Sequence, residues 1–538
     1  MQLGRSNQTG GNAEWPCPKE DVMKTNSTLR PILLAALVGP VVLVAGALSF
    51  AQKAPPPDSQ STLDYRTNQS MATYRAPVYP DEAYVRMPLP ASEQAYKEIN
   101  GLHIKDIIKE IVAISYRSRD AGDIMWGRIP GTQSEAWTND WVEAKFRALG
   151  LKEIRRQPFD LPPQWFPVSY EFSVMVDGVA QPKLATVRPA TGSGSLPPAG
   201  LDLEPVWVSL GSAADFMGRD VRGKAVVISN EIGEAAGSQT PSWMGASKRA
   251  QDKGAAALVI IYGNSGNMTP WGPMGAGVTL PGVNMGYQDG LALRELIGSG
   301  KPVKLRIKSQ TKFVPNLKST SVWGTLPGAT DENIILMAHQ DAYFDGALDN
   351  ASGMAVMLAL AEHYVRIPQA QRRRTILFVA TAGHHAGSPN AKWLHDHRDT
   401  ALAKTALMMN FEHIGAAEAY IFRDAKLRAN EFSAHRYYFN GSSRLRDIVF
   451  GTFYKYGIAT FPDLQNGQGE MNWVKEDAPS VQILRSPDDK HSDADTIDWV
   501  AAAGLEAVAR AHARIIDDAN KVDRKDLLSA QRVGTGAP

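Results

Sequence analysis

The sequence predicts an α/β fold: a mixed, mostly parallel sheet flanked by helices and interrupted by a β-rich insert. Three observations carry this. Continuous apolar runs at 334–338, 375–380 and 406–410 have strand length and lack the polar alternation of a sheet with one wet face, so both faces should be covered. Segments of helical spacing lie between those runs. From Pro162 to about Lys312 the chain becomes rich in Gly and Pro, with short strand-like runs at 224–228 and 257–262 around a helix-like stretch at 247–253.

Taken in order, residues 1–51 read as an N-terminal extension with an export signal. The stretch 32–51 is uncharged, lies between Arg30 and Lys53, follows Lys24 and Arg30, and ends in the small-x-small pattern Ser49-Phe50-Ala51. Met23 is the expected start, and the product is expected to be periplasmic or secreted. The alternative is a retained membrane anchor through 32–51, since about 20 apolar residues span a bilayer; Gly39 and Pro40 count against it. Residues 52–100 are Pro-rich and polar, as in a linker. Helices are predicted from near Leu102, where Ile104, Ile107, Ile108 and Ile111 share a face, and over 135–149 with Gly150 as the stop. A further helix is predicted over 353–365, capped by Asn350 or Ser352, and a long one over 496–516, before a tail at 521–538.

Composition removes several classes of function. The formal charge of +1 offers no polyelectrolyte attraction, so nucleic acid is not expected as a partner. Cys17 is the only cysteine, which excludes disulfides within the chain and thiolate metal sites. The length of 538 residues calls for two or three domains.

Chemistry-bearing side chains follow the ends of the apolar runs, where open α/β sheets place their sites. His339 follows the first run and Asp341 lies two residues on; Asp349 comes ten residues after His339. His384-His385 follows the second run and Glu412 the third, while His491 follows the strand-like 481–484. Mixed imidazole and carboxylate donors suit zinc better than calcium or magnesium, which prefer oxygen shells.

These five motifs and their spacing resemble peptidase family M28, the co-catalytic zinc aminopeptidases and carboxypeptidases, over residues of about 100–520. The insert at 162–312 resembles a protease-associated (PA) domain. The resemblance implies a zinc exopeptidase-like domain in two segments, 101–161 and 313–520. It implies that Asp349 bridges two zincs, with His339 and Glu412 completing one and His385 and His491 the other, and that Asp341 orients His339. His384 would occupy the place of the catalytic base.

Two departures stand out. Glu412 replaces the usual Asp, and His384-His385 replaces Glu-Glu. With two dications facing only Asp349 and Glu412, an excess of two positive charges is expected, favouring one tight zinc and a weaker second. Glu470, in the 467–472 loop, is a candidate contact for a substrate amine, with loop solvation as the equal alternative. His395, His397, His413 and His435 match no position of the pattern and read as structural. The expected function is an exported zinc-dependent exopeptidase acting on peptide or related amide bonds. The alternative is a catalytically inactive binding protein on the same scaffold.

Overall fold

The computed structural model describes residues 88–229, 241–422, 425–462, 467–486 and 489–529. The segment 32–51, most of the 52–100 linker and the last residues of the tail lie outside them. Among the described residues no helix is long and apolar enough to cross a membrane.

The apolar runs become the centre of an eight-stranded sheet built from β1 (Lys152–Asp160), β2 (Lys318–Leu326), β3 (Thr330–His339), β4 (Arg374–Thr381), β5 (Thr405–Phe411), β6 (His435–Asn440), β7 (Thr460–Pro462) and β8 (Ser480–Leu484). Their order is β1-β2-β4-β3-β5-β8-β6-β7. The inner four, β4-β3-β5-β8, are parallel, and β2 and β6 flank them antiparallel. The alternation hidden in the continuous runs is visible in the packing. Ile334, Leu336 and Ala338 enter one core cluster, and Ile335 and Met337 the other, on the opposite face. His339 is in register with Thr381, so the residues that follow β3 and β4 emerge at the same edge.

One face carries α1 (Gly101–Asp120), α3 (Gly353–Val365), α4 (Ser443–Lys455) and α5 (Ala502–Asn520), packed around Ile104, Ile108, Met354, Leu360, Phe453 and Leu505. α2 (Gln133–Ala148) lies beside α1 and β2 and adds Phe146 to this core. The cap of α3 is Asn350, whose Oδ1 accepts from the Gly353 amide; the Ser352 side chain does not cap it. α5 starts six residues later than the predicted 496, because 497–499 form a single turn and Val500 bridges to Ala416 in extended conformation.

The insert is zipped at its ends by two long antiparallel strands, Gln164–Val176 and Val303–Val314, and holds a separate five-stranded sheet with its own apolar core. Its first helix runs Pro241–Asp252, starting before the predicted 247. The linker is also corrected. Residues Ala91–Tyr96 form a helical turn whose Glu93 is buried against Lys455, Arg514 and the Tyr456 hydroxyl, so the end of the 52–100 stretch belongs to the folded body.

Candidate metal centre

Beyond the carboxyl ends of the parallel strands, the structure brings together His339, Asp349, His384, His385, Glu412 and His491, all predicted, and His413, which was not. The carboxylate of Asp349 is the hub. Its Oδ1 lies 3.1 Å from His339 Nε2 and 3.2 Å from His413 Nε2. Its Oδ2 lies 3.1 Å from His491 Nε2 and 3.7 Å from His385 Nε2, and those two nitrogens are 3.1 Å apart. Each oxygen therefore faces a pair of imidazoles.

On the Oδ1 face these are not hydrogen bonds. His339 Nε2, His413 Nε2 and Asp349 Oδ1 are all buried and have no hydrogen-bond partner in spite of their closeness. Orphaned buried polar atoms are costly and call for a further partner. Donors on a tetrahedral zinc with bonds of about 2.0–2.1 Å stand about 3.3 Å apart, and His339 with His384 and Glu412, and Asp349 with His385 and His491, each bring three donor atoms within 4.8 Å of one another. The residues present fit zinc.

The far nitrogen of each ring sets its tautomer. His339 Nδ1 lies 3.1 Å from the Asp341 carbonyl, and His385 Nδ1 lies 2.8 Å from Asp341 Oδ2. Donation from Nδ1 leaves each Nε2 lone pair facing the centre, the arrangement that metal-ligating histidines adopt. The expected role of Asp341 is extended here. Its carboxylate holds His385 and the 384–385 turn, accepting also from both backbone amides of that turn, and its Oδ1 lies 3.7 Å from His339 Nδ1, which the Asp341 carbonyl also faces.

The His384 ring stacks on His339 at 3.8 Å between centroids, so it points into the site. Its Nδ1 lies 3.1 Å from Glu470 Oε2, and its Nε2 is 3.9 Å from Glu412 Oε1. Glu470 is fully buried and also accepts from Thr381 Oγ1, so it backs His384 and is not the expected contact for a substrate amine. The expected charge excess shrinks accordingly: Glu470 returns one of the two missing carboxylates, one ring further out. Gly469 permits this approach, since a Cβ there would stand 2.2 Å from His384 Cε1 and its φ is +54°.

Charge around the hub follows the geometry. Burial pushes the Asp349 carboxyl up, but His413, His339 and His385 outweigh it and hold it well below the usual range. Burial lowers His385 too, yet Asp341 and Asp349 raise it to about 9. Burial prevails at His491, pushing it down to about 3, and it keeps His413 below its ordinary value.

The surroundings fix the hub from beneath. Arg128, fully buried, donates to the carbonyls of Gln340, Asp345 and Gly346 and pins the loop between His339 and Asp349. Asp495 accepts from the amides of Leu348 and Asp349. The insert touches the site as well: the Trp271 amide donates to the His491 carbonyl, and the Thr269 amide to Asp493 Oδ1. Of the other histidines, His395 bonds Asp477 and His397 bonds the Trp393 carbonyl, while His435 is a buried core residue.

A mostly parallel sheet with a histidine–carboxylate hub at its carboxyl edge is a zinc exopeptidase-like architecture. Residues 321–516 match Peptidase family M28. Aminopeptidase YwaD of Bacillus subtilis (strain 168) is 27% identical over 307 residues, 55% of this chain and 61% of that protein. The alkaline phosphatase isozyme conversion protein of Escherichia coli (strain K12) is 30% identical over 124 residues, 20% of this chain and 35% of its own length. The chain thus spans less than two thirds of either relative. Among solved structures, a peptidase M28 precursor from Shewanella amazonensis SB2B has a TM-score of 0.64 at 19% identity, covering 81% of this chain and 98% of that one. The zinc aminopeptidase BSAP from Bacillus subtilis has a TM-score of 0.57 at 20% identity, covering 82% and 99%. These likenesses establish the fold.

Proposed function

We propose that the protein is an exported zinc-dependent exopeptidase that hydrolyses peptide or related amide bonds. The observation that carries the reading is the Asp349 hub, with a pair of imidazole nitrogens facing each oxygen. The relatives named as aminopeptidases favour cleavage at an amino terminus over a carboxyl terminus. The insert is read as a PA domain, supported by its separate sheets and its contacts to the His491 loop. Export rests on the uncharged stretch 32–51, with a retained tether as the variant reading; sequencing the mature amino terminus decides between them.

Zinc would be held by His339, Asp349, His385, Glu412 and His491, and when bound would supply Lewis-acid polarisation of the scissile carbonyl and activation of water. The chain's own residues manage the proton. His384 takes it from the attacking water at Nε2 and passes it to the leaving amine. Glu470, bonded to Nδ1, fixes the tautomer with Nε2 bare and stabilises the imidazolium that forms, the role an acidic residue plays behind a catalytic histidine. This dyad does the work that a lone carboxylate would do, and it answers the loss of Glu at position 384.

The test is turnover of amino-acid amides and dipeptides by the zinc-loaded protein. Chelator-sensitive hydrolysis that falls about 10²–10⁴-fold in His384→Ala, with metal content retained, is the expected result. Glu470→Gln should lose about 10–100-fold. A folded, metal-replete protein without turnover would point to the inactive binding protein.

A further inference from the structure

We propose that Lys490 and Trp271 form a carboxylate-recognising subsite beside the metal centre, which selects substrates carrying a carboxylate next to the scissile bond. Two sources share this chemistry: the α-carboxylate of a dipeptide and the side chain of an acidic residue. The inference deepens the metallopeptidase reading and rests on it for what the cleft receives.

The subsite is a cleft of about 330 Å³, part of it open to solvent, between the insert and the loop that carries His491. That is the small end of the range for ligand pockets. Met268, Pro270 and Trp271 of the insert wall it on one side, and Lys490, His491 and Ser492 on the other. The two walls are tied together. Pro270 bridges to Ser492, the Trp271 amide donates to the His491 carbonyl at 2.8 Å, and the Thr269 amide donates to Asp493 Oδ1 at 2.7 Å. His491 belongs both to the cleft and to the Oδ2 face of the hub, so a ligand in the cleft adjoins the metal centre.

The polar groups of the cleft set the sign of its ligand. Trp271 is only 3% exposed, and its indole Nε1 has no hydrogen-bond partner. The ring is held in place, stacked on Phe344 at 6.0 Å and meeting Trp165 edge-on at 6.4 Å between centroids. Lys490 is half-buried, and no described residue pairs with its ammonium. An indole N–H and an ammonium donate hydrogen bonds and cannot accept them. None of the residues lining the cleft is acidic. A carboxylate brings acceptors for both donors and the negative charge that the lining lacks. A substrate ammonium would meet only another cation. The carboxyl-bearing side of the substrate therefore enters this cleft, and its amino terminus is seated elsewhere.

The experiment compares two matched pairs on the zinc-loaded protein. Leu-Gly against Leu-Gly amide reads the α-carboxylate, and Leu-Asp amide against Leu-Asn amide reads the side chain. The readout is the ratio of kcat/KM within a pair, because any loss of metal scales both members alike. One pair should favour its carboxylate member by at least about 10-fold, the effect of a hydrogen bond to a charged group, and that pair names the source. Lys490→Met keeps the apolar stem and removes the charge, so it should bring the ratio near unity, whereas Lys490→Arg should keep most of it. Trp271→Phe keeps a ring and removes the N–H, and should lower the ratio about threefold. Thermal melts check folding, and the wild-type ratios decide the carboxylate preference even if a variant does not fold. Ratios near unity in the wild type, or a preference that survives Lys490→Met, overturn this inference alone. If no member of either pair is hydrolysed, the metallopeptidase reading fails, and calorimetric Kd values for the same pairs give the ratio that upholds or overturns the subsite.

Discussion

The two faces of the Asp349 carboxylate are built from different material. On the Oδ1 face, His339 ends β3 and His413 follows β5 by two residues, and both rings are sealed from solvent, His413 being 1% exposed. On the Oδ2 face, His385 sits on a short turn and His491 on a loop that the insert holds through Trp271, with the His491 side chain 27% exposed. The first face inherits its precision from the register of the sheet. The second depends on loops, which open locally at lower cost than core strands. The two faces should therefore bind metal unequally, with the tight ion on the Oδ1 face and the exchangeable one on the Oδ2 face.

The largest effect is expected where the faces meet. Asp349→Asn removes the shared charge and one oxygen donor, so metal retained after dialysis should fall to background and hydrolysis by at least about 100-fold. Full retention of both metals by this variant would break the picture of a shared hub. Asp341→Asn separates the faces. It sets an amide NH2 against one of the N–H groups that Asp341 now accepts from, at His385 Nδ1 or the 384–385 turn. Co(II) titration should show the weaker site lost by about 10–100-fold and the tighter site kept. Equal weakening of both would mean that the faces are one cooperative unit.

Much of this was legible in the sequence, for a reason that also explains what was missed. Strands covered on both faces show as continuous apolar runs, so β3, β4 and β5 and the residues just beyond them could be located, and His339, Asp349, His384, His385, Glu412 and His491 with them. What depended on a single backbone angle or on distant contacts was hidden. His413 follows a predicted ligand directly, and strand alternation argues that it points away; only the left-handed turn reverses that. The one available signal was an imidazole abutting a strand-end donor. Glu470 lies 86 residues from His384, and its burial behind that ring follows from the fit of Gly469 against the imidazole, which no local pattern encodes. The carboxylate of Asp341 serves His385 as well as the nearer His339, a reach that sequence spacing does not show.

Ser486→Ala should give the smallest effect and the finest comparison. Ser486 supports the Oδ1 face as Asp341 supports the Oδ2 face, but through one long neutral hydrogen bond to His413 Nδ1 and not a short charged one. A net hydrogen bond of about 0.5–1.5 kcal/mol corresponds to a loss of roughly threefold to tenfold in affinity. That loss should fall on the tight site, leaving the weak one unchanged and the Co(II) spectrum intact in shape, since no donor is removed. If Ser486→Ala instead weakened the exchangeable site, the serine would be acting through the loop that carries His491, and the division of the hub into a sheet-built face and a loop-built face would have to be redrawn.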